Sequence, residues 1–205
     1  MNNDLYSQLC GKLIVSCQDY VEVMIPAAVR GGAVALRVNG PIDVRFARDK
    51  TELPLLACNK IFYPNSEVYI TPSVRAAKSL LKANADMVAF DARSLPRPRQ
   101  DIGAIIDVIH EFERIAVADI ATFAEGIAAA DAGADVVATT FSPQFSPSLV
   151  QQLADAGCRV LAEGQIDAPN KVQNAIDSGA WSVCVGTAIT RPHLIASQFR
   201  QALKG

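Results

Sequence analysis

Three times in its C-terminal half the chain repeats one short unit: a helix-period stretch, a small residue, a glycine, one more residue and an apolar run. The copies are "DAGAD" (Asp131–Asp135), "DAGCR" (Asp155–Arg159) and "DSGAW" (Asp177–Trp181). A glycine just past a helix can take the left-handed conformation that closes the helix end. Each copy therefore reads as a helix ending and a strand beginning. Apolar runs of the same kind recur along the whole chain, at Leu13–Ser16, Ala33–Val38, Leu55–Cys58, Met87–Asp91, Ile115–Asp119, Val136–Thr139, Arg159–Ala162 and Ser182–Val185. Near-continuous apolar strands are what a parallel sheet covered on both faces requires. Helical periodicity fills gaps between them, at Ser73–Ala83, Ile102–Glu113, Thr122–Ala132, Pro147–Ala156 and Pro169–Ser178. Thr71-Pro72, Ser146-Pro147 and Ala168-Pro169 put proline near helix starts, where its missing N–H costs nothing. Eight strand–helix units in 205 residues predict a (β/α)8 TIM barrel, an α/β fold of eight parallel strands ringed by helices. An open doubly wound sheet is the alternative, but no G-x-G-x-x-G follows the first strand. No linker or composition break interrupts the chain, so one domain over residues 1–205 is expected.

Hydrophobic residues make up 50% of the chain and charged residues 20%, enough to bury a core without covalent staples. The net charge of −2, with no Lys/Arg run, does not resemble the footprint of a nucleic-acid partner. The opening "MNNDLYSQLCGK" lacks the apolar core of a secretory signal, and no apolar stretch is long enough to span a bilayer. A cytoplasmic protein without a membrane partner is expected. The five cysteines (Cys10, Cys17, Cys58, Cys158, Cys184) are odd in number, scattered and free of any C-x-x-C, so neither a disulfide framework nor a thiolate zinc site is expected. Cys17 and Cys58 read as small hydrophobes. His110 and His193 lie too far apart for a two-His metal centre, and a Ser-His-Asp mechanism is poorly supplied. The chemistry then falls to Lys, Glu, Asp and Arg.

In a (β/α)8 barrel the active site sits at the C-terminal ends of the strands. Here those ends carry Ser16-Cys17-Gln18, Arg37-Val38-Asn39, Asn59-Lys60, Asp91, Asp119, Thr139-Thr140, Glu163 and Gly186-Thr187. One Asp or Asn at a strand end is an ordinary cap, and Thr139 and Thr140 read as wall residues. Eight polar strand ends on one rim are a stronger signal. The segment Phe62–Ser73, rich in turn residues, is expected to fold over one end of the barrel. In "VCVGTAITRP" (Val183–Pro192), Gly186 and Thr187 let backbone N–H groups approach an anion and Arg191 adds a charged fork. Gly164, after Glu163, serves the same use on the neighbouring loop. Loops after the seventh and eighth strands are the common phosphate site of such barrels. A phosphorylated small molecule is the expected ligand. Lys60 and Glu163 are the best acid/base pair, since burial lowers a lysine pKa and raises a glutamate pKa toward neutrality. That fits proton removal from a carbon beside a carbonyl.

With these residues in place, the chain resembles the N-acetylmannosamine-6-phosphate 2-epimerase family over nearly its full length. The resemblance rests on "GKLIVSCQ" (Gly11–Gln18), "GGAVALRVNG" (Gly31–Gly40), "YPNSEVYITPS" (Tyr63–Ser73), "DMVAFDA" (Asp86–Ala92), "PRP" (Pro96–Pro98), "VADIAT" (Val117–Thr122), "GADVVATT" (Gly133–Thr140), "LAEGQI" (Leu161–Ile166) and "VGTAITRP" (Val185–Pro192). It implies a (β/α)8 isomerase that needs no cofactor and no metal. The reaction would interconvert N-acetylmannosamine 6-phosphate and N-acetylglucosamine 6-phosphate at C2, in sialic acid and amino-sugar catabolism. By resemblance Lys60 and Glu163 are the catalytic pair. Gln18, Arg37 and Asp119 hold the sugar and its N-acetyl group, and Gly164, Gly186, Thr187 and Arg191 cradle the phosphate. A homodimer is implied too. The chain departs from the family pattern in several places. Gln165 stands where the family has Arg. Lys60 is followed by Ile61, and the stretch Leu95–Pro98 also differs. Phe141–Gln144 replaces the family's usual "LSGYT", and the segment after Gln18 is shorter. Those departures keep open a barrel enzyme acting on a related sugar phosphate, or a sugar-phosphate sensor without catalysis.

Overall fold

The structure is a computed structural model that describes residues 2–203. Among them, eight parallel strands close into a barrel in sequence order: β1 (Leu13–Ser16), β2 (Ala35–Asn39), β3 (Leu55–Cys58), β4 (Met87–Asp91), β5 (Ile115–Asp119), β6 (Val136–Ala138), β7 (Val160–Glu163) and β8 (Ser182–Val185). The seam is made by β8 against β1, with Ile14 opposite Cys184. The helices are α1 (Asn2–Leu9), α2 (Val21–Arg30), α3 (Gly40–Lys50), α4 (Val74–Lys82), α5 (Ile102–Glu111), α6 (Phe123–Asp131), α7 (Pro147–Asp155), α8 (Pro169–Asp177), α9 (Thr187–Thr190) and α10 (Pro192–Ala202). The expected (β/α)8 barrel is the fold observed.

Strand residues alternate between two buried layers, as the period of two demands. Ile14, Leu56, Met87, Val117 and Leu161 fill the barrel, while Val15, Leu36, Val88, Val137 and Val160 pack outward against the helices. The lower end is plugged by α1. Its Leu9 is fully buried in the inner cluster, the Arg159 guanidinium lies 3.8 Å from the Tyr6 ring centroid, and Trp181 Nε1 donates to the Tyr6 carbonyl at 3.0 Å.

The three repeated glycines do what the pattern predicts. Gly133, Gly157 and Gly179 all have positive φ just past α6, α7 and α8. Pro147 and Pro169 open α7 and α8, but Pro72 lies one residue ahead of Ser73, whose hydroxyl caps α4. β2 starts at Ala35, two residues later than the apolar run suggests. Ala33 is still closing α2, its N–H bonded to the Ala28 carbonyl. β6 stops at Ala138 because the chain then turns, Ser142 N–H donating to the Thr139 carbonyl. β7 runs one residue further than the apolar run and ends on Glu163 itself.

Candidate active site

β2 carries Arg37 in its centre, β5 ends on Asp119 and β7 ends on Glu163, and inward alternation aims all three into the barrel mouth. Arg37 Nη2 meets Asp119 Oδ2 at 2.6 Å and Nη1 meets Oδ1 at 3.2 Å. The same Nη1 is ion-paired with Glu163 Oε2. Thr140 Oγ1 donates to Asp119 Oδ1 at 2.5 Å. Arg37 and Asp119 are 1% and 0% exposed and Glu163 is 12% exposed. One guanidinium therefore faces two buried carboxylates, and the excess negative charge has to be relieved. Asp119 takes two bonds from Arg37 and one from Thr140. Glu163 shares only one arm of the arginine, and burial pushes its carboxyl above the ordinary glutamate range, against the pull of Arg37.

The hydroxyls after β6 are working groups, not the bare wall the sequence suggests. Thr139 Oγ1 bridges to the Glu163 backbone, donating to its carbonyl at 2.9 Å and accepting from its N–H at 3.1 Å. Together Thr139 and Thr140 fix both carboxylate residues from one strand end. Gly164 follows with φ of +92°, and a Cβ there would lie 3.0 Å from the Thr140 carbonyl oxygen and 3.2 Å from that of Thr139. Its missing side chain lets β7 turn tightly against β6.

Lys60 lies just beyond β3. Its N–H donates to Asn39 Oδ1 at 3.0 Å, and its backbone bridges to Ile70 in a short antiparallel return. Residues 59–71 thus arch back over the rim, as expected of the long connection, and Thr71 Oγ1 clamps the arch to β4 through the Ala89 carbonyl at 2.6 Å. The Lys60 ammonium takes no hydrogen bond or ion pair among the described residues. Its charge, like those of Arg37 and Glu163, acts on the Cys58 thiol, so Lys60 shares the upper end with the cluster. The structure pairs Glu163 with Arg37 and leaves the lysine free.

Around β1, Gln18 Nε2 donates to Ser16 Oγ at 2.9 Å, and its Oε1 is buried without a partner: an acceptor awaiting a donor. Gly186 packs against the same serine, a Cβ there lying 3.3 Å from Ser16 Cβ. Thr190 Oγ1 ties the loop to β1 through the Ser16 carbonyl at 2.7 Å. Thr187 opens the four-residue α9, too short to build a helix dipole of its own. Arg191 is held by Asp19, Nε to Oδ2 at 2.6 Å, a half-exposed contact across the β8–β1 seam. Gln165 is exposed in the left-handed region at φ 56°.

The sequence reading named Asp91 as a strand end but missed the cluster that it anchors. Asp91 lies in register with Asp119, and it is neutralised by its own arginine, Arg93, at 3.0 and 2.7 Å. Arg93 also lies 3.8 Å from the Phe141 ring centroid, and Phe141 meets Tyr69, which stacks on Phe62. An Arg two residues after a strand-end Asp was the available signal. Among the described residues no group of three or more His, Cys, Asp or Glu side chains could hold a metal, and no helix is long and apolar enough to cross a membrane.

Residues 21–205 match the sequence profile of the family described as "Putative N-acetylmannosamine-6-phosphate epimerase". A Clostridium perfringens (strain SM101) relative named "Putative N-acetylmannosamine-6-phosphate 2-epimerase" is 38% identical, over 95% of this chain and 97% of its own. A Proteus mirabilis relative of the same name is 36% identical, over 95% and 91%. The solved structure of the N-acetylmannosamine-6-phosphate 2-epimerase from Clostridium perfringens superposes with a TM-score of 0.93 at 35% identity, covering 97% of this chain and 96% of that one. A thiamine phosphate pyrophosphorylase from Pyrococcus furiosus, 15% identical with a TM-score of 0.65, shares the fold.

Proposed function

The chain belongs to the N-acetylmannosamine-6-phosphate 2-epimerase family, and on that premise we propose that it interconverts N-acetylmannosamine 6-phosphate and N-acetylglucosamine 6-phosphate. The observation that carries this reading is the buried Glu163 at the barrel mouth, its carboxyl raised toward neutrality and facing the rim where the unpartnered Lys60 stands. Removing the proton at C2 of an open-chain sugar leaves the electron pair shared with the C1 carbonyl. Returning a proton to the other face inverts C2, and the net reaction consumes nothing. Such a step needs one group to take a proton and another to give one. Glu163 and Lys60 fill these roles. A free ammonium also favours the negative charge that develops on the C1 oxygen. A wild-type reaction in D2O should place deuterium at C2 and yield the gluco epimer by NMR. Neither Glu163→Gln nor Lys60→Met should retain more than a trace of that exchange. Wild-type protein that neither exchanges nor epimerises at high concentration sinks the reading.

Arg37 and Asp119 hold the sugar and its N-acetyl group, while Gln18 offers its buried Oε1 to a sugar hydroxyl or amide. The phosphate sits between Gly164 and the Gly186–Thr187 turn, with Arg191, which Asp19 pairs, supplying its cation. The biological setting is sialic acid and amino-sugar breakdown in the cytoplasm. The working form is a homodimer. Support comes from α10, which buries none of its residues fully and shows Phe199 at 74% exposure, with Leu203, the residue that caps its C-terminus, at 84% four residues on. Apolar groups spaced by four share one helix face, and such a face invites a partner.

The exposed Gln165 favours a second reading, a related sugar phosphate with a smaller anionic demand. A panel of sugar phosphates in a thermal-shift assay separates the two, the true ligand raising the melting point most.

A further inference from the structure

Two thiols are buried under the Glu163–Arg37–Asp119 cluster, and the proposed reaction uses neither. Cys58, at the end of β3, is already engaged: its Sγ lies 3.6 Å from the Val38 carbonyl oxygen and 3.7 Å from Asn39 Oδ1. Cys184 is placed differently. The β7–β8 register puts it directly opposite Glu163, and in-register residues of neighbouring strands point to the same side of a sheet. It lies in the inner cluster with Leu161, 1% exposed, so thiol and Glu163 carboxyl share one buried face and each acts on the other's proton affinity. We propose that Cys184 is a positioning residue for Glu163, its S–H donating to the carboxylate and holding it toward the barrel mouth.

The charges around Glu163 show what this donor does. Arg37 from β2 favours the ionised carboxylate, Asp119 from β5 opposes it, and Arg37 is shared between the two. Cys58 from β3 feels Arg37, Lys60, Asp119 and Glu163. The turn after β6 contributes the hydroxyls of Thr139 and Thr140. The Cys184 thiol is then the second donor to a carboxylate that has only part of an arginine. Burial and the neighbouring Glu163 charge keep it an S–H group, so it acts as a donor and not as a nucleophile. A thiol is a weak donor. It supports the ionised form enough to let Glu163 accept a proton, without tying it so firmly that it cannot.

The inference rests on the epimerase reading for its purpose but is tested without it. Protein labelled with 13C at the glutamate carboxyl is titrated by NMR in the absence of substrate, the Glu163 signal being the one missing from Glu163→Gln. Loss of a donor to the charged form raises the pKa. Cys184→Ala and Cys184→Val, the second filling the space without donating, should both move the Glu163 midpoint up by about half to one pH unit. Cys184→Ser should return it to the wild-type value or below. The acid limb of kcat/KM for epimerisation should move in step, while melting temperatures report packing separately. A midpoint unmoved in the Ala and Val variants, or moved equally in Ser, overturns the proposal. If wild-type protein shows no epimerisation, the functional reading falls and the NMR midpoints still decide the role of the thiol.

Discussion

At the scale of single residues, the site sets charge against burial. Glu163 has its carboxyl raised in the fold, so the folded state prefers it neutral. That contribution to stability is full below the ordinary glutamate value and is lost as pH climbs through the raised one. At neutral pH an ionised Glu163 therefore weighs against the fold. Glu163→Gln should abolish C2 exchange and yet raise the melting temperature at pH 7 by about 2–4 °C, since Arg37 keeps both bonds to Asp119. Calorimetry beside the exchange assay checks both halves. Gln165 offers the converse test. Gln165→Arg places a cation beside the proposed phosphate site and should lower KM by roughly three- to tenfold with kcat little changed, a charge-assisted bond discounted for exposure. Glu163 was legible in the sequence because a charge ends an apolar run. Arg37's hold on it was not, because no local pattern reveals which of two carboxylates, 82 and 126 positions away, an arginine will meet. Nor could the sequence show that Gly164 is needed for the close approach of β6.

At the scale of elements, strands were read almost to the residue because each is apolar on both faces and bounded by glycine or a polar rim residue. Helices were read unevenly. Helical periodicity marks α4 to α8 but not α2, which carries Pro26 in its interior, nor α3, which opens on Gly40-Pro41 and is half charged. Pro breaks a helical reading, and tertiary packing on the barrel overrides it. α6 and α7 come close at Gly126. A Cβ on Gly126 would lie 2.4 Å from Leu153 Cδ2, inside a contact that is fully buried. Gly126→Ala should destabilise the protein by about 1–3 kcal/mol despite its better helix propensity. Trimming the neighbour in Gly126→Ala/Leu153→Val should recover part of the loss, which a double-mutant cycle in urea will show.

At the scale of the whole molecule, the two ends of the barrel have different duties. The upper rim gathers charge, while the lower end is sealed by α1 through Tyr6, Leu9, Arg159 and Trp181. Burial and the nearby Asp135 push the Tyr6 hydroxyl up to about 12. A raised acid stabilises the fold while it stays protonated, so that support is present below pH 10 and fades as pH rises toward 12. Thermal melts across that window should show a steep fall in the wild type, and Tyr6→Phe should flatten it. The outer apolar face of α10 makes a prediction about assembly. Phe199→Lys with Leu203→Lys should convert the proposed dimer to monomer in sedimentation velocity, leaving the secondary structure intact. A species of unchanged mass would mean that copies meet elsewhere or not at all.

The seam between β8 and β1 also governs how the protein comes into being. Trp181 and Tyr6 are joined across 175 positions, and Arg37 meets Glu163 only after 126 more residues have been made. Contacts this distant must overcome loop-closure entropy before they return any stability. A chain emerging from the ribosome thus carries an arginine destined for burial long before its second carboxylate exists. Until the eighth strand arrives, the half-built wall presents two raw edges, the state in which such a chain is most exposed to wrong partners. Catalytic competence and escape from aggregation are reached in the same closing event.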